Sequence, residues 1–170
     1  NGSCGSTRFS AAKLKRIREA EARHACKILG ARFHPSLGND LEILYTLPLL
    51  RRLAGIIREV NPSVVLTHPP VDYMEDHANT CRLAVTATFA RGMPNFKTVP
   101  HRKSIEGSTV LYHCLPHGLC DPIRRPVAPE FFVDTTPAQE TMRRAQLAHE
   151  SQRDWLQTSQ EMESFVKTIE

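Results

Sequence analysis

Eleven residues carry most of the chemistry that the chain could do. From Thr67 to His77 the order Thr-His-Pro-Pro-Val-Asp-Tyr-Met-Glu-Asp-His sets two imidazoles and three carboxylates within a short stretch. Imidazole and carboxylate are the ligand types of a hydrolytic zinc ion. A neutral His77 with Asp76 beside it suits such an ion, and the N-terminus of a following helix would favour developing negative charge nearby. Taken alone, an Asp-His pair after a strand is most often a solvated polar loop, and one ligand does not make a site. A second candidate stands apart from it: Arg18 falls in the middle of an apolar helical face, where a guanidinium is costly unless it is paired, faces a cleft or snorkels to the surface.

The elements that must position these groups follow from pattern. Ala11, Leu14, Ala22, Ala25 and Leu29 recur near a 3.6 period, which predicts a helix over 8–29 that Gly30 can close. Residues 33–40 read as an extended piece and a turn. Thr46 can cap a helix carrying Leu47, Leu50, Ala54, Ile57 and Val60, stopped by Asn61-Pro62. Residues 63–67 are short, apolar and β-branched, the pattern of a parallel strand buried on both faces. The loop leaving its carboxyl edge is where ligands bind in open α/β sheets, and that loop holds His68 to His77.

Residues 78–90 are apolar almost all round (Leu83, Val85, Ala87, Phe89), which predicts a buried helix whose N-terminus points at His77. Two further strands are expected at 109–114 and 131–134, separated by a Pro- and Gly-containing loop. Thr136-Pro137-Ala138-Gln139 combines a capping box with Pro at the first helical position and opens a last helix towards Trp155. This alternation predicts an α/β fold.

Bulk composition narrows the function classes. With 170 residues, 41% hydrophobic and 24% charged, one domain over 1–170 is expected. The net charge of +4 is spread without a run of like charges, so nothing argues for nucleic acid as a partner. Five widely spaced cysteines without a C-x-x-C pair fit reduced thiols in the cytoplasm. No apolar run is long enough for a membrane span, and no signal-peptide pattern occurs. The absence of a G-x-G-x-x-G or P-loop after a predicted strand speaks against a nucleotide-binding domain.

The stretch "VVLTHPPVDYMEDHANT" resembles the third motif of the N-acetylglucosaminyl-phosphatidylinositol de-N-acetylase (PIG-L, LmbE-like) family, a strand ending in a Pro-x-Asp-x-x-x-Asp-His loop that leads into a helix. "NGSCGS" is similar to that family's Asn-Gly turn, "REAEARHACKILG" to its Arg-x-x-Glu helix, and "AHESQ" to its His-x-Ser-Gln. The resemblance implies a Rossmann-like layered fold with a mostly parallel sheet flanked by helices. It also implies a zinc-dependent hydrolase that removes the N-acetyl group from an N-acetylglucosamine-type sugar or conjugate by metal-activated water.

In the family the zinc lies between a His and an Asp of an N-terminal His-Pro-Asp-Asp motif and a His that corresponds to His77, and the other Asp of that motif is the general base. No His-Pro-Asp-Asp occurs among the 170 residues, so the first strand is expected to be missing and the chain as it stands to be inactive. Met74 replaces a His that stabilises the oxyanion in many members, leaving His68 and Tyr73 as candidates for that role. Arg18 matches the family's substrate-side arginine, with Glu21 orienting it.

Asp40 falls where some members contact a sugar hydroxyl, although a turn-forming Asp reads equally well. Asp76 is expected to hydrogen-bond beside the metal or to cap the helix, and His149 to reach the substrate or an oligomer contact. His24, His34, His101, His113 and His117 read as structural or solvent-facing. The implied partner is a small N-acetylated sugar conjugate; a homo-oligomer is compatible with the family. A non-catalytic carbohydrate-binding relative is the competing reading.

Overall fold

Ser10 ends an extended segment and its Oγ accepts the Lys13 N–H, which starts helix α1 (Ala11–Ile28). Gly30, at φ 65, closes that helix in the left-handed conformation that glycine adopts without cost. This and all that follows describes residues 1–160 of a computed structural model. The last ten residues of the expected single domain lie outside that range. The chain forms two compact units, Asn1–Asp40 with the segment from Phe131 onward, and Leu41–Glu130.

The first unit packs α1 against α4 (Gln139–Leu147) and α5 (Glu150–Gln160). Leu14, Ala25 and Ala145 are its buried apolar residues. The last helix, expected to open at Thr136 and run towards Trp155, is two helices separated at Ala148-His149. Glu21 of α1 explains how the second one begins: its carboxylate accepts both the N–H and the Oγ–H of Ser151, at 2.8 and 2.7 Å. A side chain from another helix thus satisfies a first-turn N–H, so α5 is seeded by a tertiary contact that no local pattern announces. The strand expected at 131–134 does not form. Phe131, Phe132 and Val133 stay exposed, so no buried face holds the segment in a sheet.

The second unit holds the sheet. Strand β1 (Val64–Thr67) pairs in parallel with β2 (Val110–His113), in the register Val64 with Val110 through Thr67 with His113. Helices α2 (Leu47–Val60) and α3 (Glu75–Ala90) pack together, and Leu50, Ala54, Ile57, Leu83 and Ala87 form a core against which Val65 and Phe96 pack. Asn61, at φ 47, turns the chain out of α2, while Thr46 precedes that helix without capping it through its side chain.

Arg58 locks this arrangement. Although 5% exposed, its guanidinium donates to the carbonyls of Ala90, Arg91, Met93 and Arg102 at 2.7 to 3.0 Å. It thereby satisfies the carbonyl end of α3 and ties the following loop to α2. Gly55 allows the same loop to lie close, since a Cβ there would stand 3.0 Å from the Val99 carbonyl.

Three expectations about the site's supports need correction. The β1 strand is covered on one face only, as Val64 and Leu66 are 48% and 68% exposed. And α3 is not buried all round: Leu83 and Ala87 face the core, but Val85 and Phe89 are exposed because only one side of the helix meets α2 and the sheet. The helix also starts three residues earlier than predicted, so His77 stands in its first turn rather than in front of it.

Candidate metal and sugar-binding sites

The loop from β1 to α3 folds back on itself around Asp72. One oxygen of that carboxylate, Oδ1, lies 3.0 Å from the Met74 N–H donor and 3.0 Å from His77 Nδ1. The Asp72 side chain is 2% exposed, against 29% for His77. An ionised carboxylate only accepts, so the pair requires the His77 tautomer with its proton on Nδ1, which leaves the Nε2 lone pair uncommitted. A carboxylate that holds the far nitrogen of an imidazole is the arrangement that orients histidine ligands for a metal.

His68 stacks on His77 with ring centroids 4.1 Å apart and an interplanar angle of 6°. Burial, and secondarily the neighbouring His77, push the His68 pKa below the ordinary histidine value, with Asp72 opposing in part. The backbone under it is fixed by His113, whose Nδ1 lies 2.9 Å from the His68 carbonyl and 3.6 Å from Cys81 Sγ. Tyr73 meets His77 edge-on, with centroids 5.7 Å apart. One ligand atom each from His68, Asp72 and His77 falls within a 4.8 Å group.

Two imidazoles and a carboxylate are a donor set that fits zinc. Parallel stacked rings, however, direct their in-plane lone pairs alongside one another and not to one point. In this arrangement His77, backed by Asp72, is the ready ligand, and His68 covers its face.

Asp76 does something different. Its Oδ2 accepts the Leu41 N–H at 2.7 Å and its Oδ1 the Ile43 N–H at 3.2 Å, so it anchors the segment that enters α2. Asp72, which the sequence reading did not count among its candidates, makes the contact to His77 instead. The only signal for it was its place in the Pro-x-Asp-x-x-x-Asp-His loop. Met74 is the N-cap residue of α3, and its side chain makes no cap hydrogen bond.

In the first unit Arg18 is half-buried and donates from Nη2 to the Gly5 carbonyl at 3.1 Å. Its Nη1 occupies the place of a side chain on Gly2, where a Cβ would come within 2.1 Å at φ +62. The Asn-Gly turn is therefore glycine-dependent twice over, in backbone conformation and in space. Burial lowers the Arg18 pKa, with Asp40 and Glu21 opposing. Asp40 Oδ2 accepts the Cys4 N–H at 3.0 Å, and Asn1 Oδ1 accepts the Asp40 N–H at 3.1 Å. Arg18, His149 and Gln152 line a cavity of about 490 Å³ with Lys15 and Phe33. The Glu21–Ser151 contact sets the helix on which Gln152 stands, so the Arg-x-x-Glu and His-x-Ser-Gln motifs meet physically.

A parallel α/β sheet whose strand-end loop presents an oriented histidine within a His/Asp/His cluster places the chain among the α/β domains that carry their candidate site at a strand's carboxyl end. The sequence profile of the GlcNAc-PI de-N-acetylase (PIG-L) family matches residues 1–88, and the chain belongs to that family. Diacetylchitobiose deacetylase of Thermococcus kodakarensis is 28% identical over 159 residues, which is 89% of this chain and 56% of that protein. The chain thus spans little more than half the length of that curated relative.

Among solved structures, N,N'-diacetylchitobiose deacetylase from Pyrococcus horikoshii, complexed with an inhibitor, superposes with a TM-score of 0.73 at 26% identity over 99% of this chain and 62% of that one. A conserved protein from Thermus thermophilus gives 0.69 at 25% identity, over 99% and 66%. The 4-carboxy-2-hydroxymuconate hydratase from Pseudomonas putida gives 0.66 at 24% identity, covering 96% and 68%, and shares the fold. These neighbours agree with the Rossmann-like α/β expectation. Among the described residues no helix is long and apolar enough to cross a membrane, and the five cysteines are free.

Proposed function

We propose that the protein is a zinc-dependent N-deacetylase that releases acetate from an N-acetylglucosamine-type sugar or conjugate. The observation that carries this reading is His77 held at Nδ1 by buried Asp72, in a family named for de-N-acetylation. His77 would hold the ion through Nε2. When bound, zinc supplies an activated water and polarises the acetamide carbonyl.

The residues of this chain do the rest of the work in the second unit. Asp72 holds His77 in one tautomer, and His68, kept neutral by burial, shields the ring face from water. Met74 has no proton to donate, so Tyr73 Oη–H or a His68 N–H is the donor for charge developing on the carbonyl oxygen, and one such donor contributes about 10²–10³ in rate. In the first unit, Arg18, Asp40 and His149 are the proposed sugar-binding groups. The general base that the family resemblance implies is not among these 170 residues, so the full coding sequence is the right material for assay.

Zinc per chain and acetate release from N-acetylglucosamine glycosides, measured on wild type beside His77→Ala, test the proposal. About one zinc with acetate release in wild type, both lost in the variant, supports it. Met74 motivates a second reading, a non-catalytic sugar-binding relative. Zinc-free protein that binds N-acetylglucosamine but releases no acetate would favour that one.

A further inference from the structure

Asp72 holds one nitrogen of the His77 ring, which fixes a point and leaves the tilt of the plane open. The plane is set by His68, stacked on His77 at 4.1 Å and 6°. The direction of His77 Nε2 therefore depends on what keeps His68 and α3 in place against each other. Both are held from β2, by a histidine that the sequence leaves as structural or solvent-facing.

His113 is the last residue of β2 and pairs in register with Thr67, the last of β1. Its Nδ1 lies 2.9 Å from the His68 carbonyl. A carbonyl only accepts, so Nδ1 carries the proton and donates it. The same nitrogen lies 3.6 Å from Sγ of Cys81, a side chain of α3 that is 2% exposed. Sulfur is a weak acceptor, so the N–H is shared between oxygen and sulfur with the oxygen dominant. Cys81 follows His77 by four residues and stands one turn further along the same face of α3. One N–H thus meets two segments, the residue whose ring covers His77 and the helix turn next to His77. Helix α3 packs on both strands, which keeps the three points together.

We propose that His113 is a positioning residue of the candidate metal site: its Nδ1–H clamps the His68 carbonyl to α3 at Cys81 and so sets the stack that aims His77 Nε2. It acts through His68 and is not a catalytic residue. The inference rests on the metal-binding reading of His77 and adds to it the group that fixes the plane of the ring.

The test compares wild type with His113→Phe, which keeps a flat ring without an N–H, and with His113→Asn, whose amide nitrogen falls near the place of Nδ1 and can donate. His113 is exposed, so neither change empties a core position. In the metal-free protein the nuclear Overhauser contact between the ring protons of His68 and His77 reads the stack directly. It should be present in wild type and His113→Asn and lost in His113→Phe. Zinc affinity, measured by chelator competition, should fall by about tenfold in His113→Phe and by less than about threefold in His113→Asn. Three results overturn the proposal: a contact that survives in His113→Phe, a zinc affinity of that variant within about twofold of wild type, or equal losses in both variants, which would make ring bulk and not the donor the cause. If wild type binds no zinc, the deacetylase reading fails by itself and the Overhauser contact decides alone. Kept in His113→Asn and lost in His113→Phe, it supports the clamp; kept in both or lost in both, it removes it.

Discussion

Replacing Asp72 should separate the residue that orients the metal ligand from its acidic neighbour Asp76. Asp72→Ala removes the acceptor for His77 Nδ1 and for the Met74 N–H, both 3.0 Å away. Carboxylate partners of metal-binding histidines contribute about 10–100-fold in metal affinity, or about 1.4–2.8 kcal/mol at 1.4 kcal/mol per tenfold. The same change withdraws two hydrogen bonds from a carboxylate that is 2% exposed, while His77, at 29%, can recover a water. A stability loss of about 2–3 kcal/mol in the metal-free protein follows.

Asp72→Asn keeps an acceptor oxygen and should lose less than about tenfold in affinity. Asp76→Ala frees the Leu41 and Ile43 amides instead, so it should destabilise the entry to α2 while changing zinc affinity by less than about threefold. The assay is competition for zinc against a chromophoric chelator at neutral pH, with denaturant unfolding of the metal-free protein beside it. Zinc affinity of Asp72→Ala within about twofold of wild type would refute the orienting role, as would a larger loss in Asp76→Ala than in Asp72→Ala.

Arg58→Met should cost about 3–5 kcal/mol in urea unfolding, because four carbonyls lose a charged donor that is 5% exposed, and Arg58→Lys should rescue little of it since one ammonium lacks the planar fork. Glu21→Ala and Ser151→Ala should couple by about 1–3 kcal/mol in a double-mutant cycle of unfolding; additive effects would mean that the contact does not seed α5. His68 has a folded-state pKa below the ordinary 6.5, so the unfolded chain takes the proton first. Its contribution is intact above that value and is lost as pH falls through the unfolded pKa towards the folded one. Metal-free wild type should therefore lose more Tm than His68→Gln between about pH 7 and pH 5.5, and equal losses would refute the assignment.

Helices α1 and α2 and the α/β alternation were legible in the sequence because their causes are local: apolar spacing, Gly30, Asn61-Pro62 and a β-branched run. The reactive stretch was legible for the same reason, since a loop at a strand's carboxyl end is a matter of order along the chain. Tertiary structure alone decided which carboxylate of that stretch meets His77, because Asp72 and Asp76 differ in what surrounds them and not in type. It also decided that α3 begins at Glu75, that Glu21 starts α5 from 130 residues away, and that residues 131–134 form no strand. Side-chain type and spacing determine what a residue can do; burial and hydrogen-bond partners, which come from segments far apart in the chain, determine what it does.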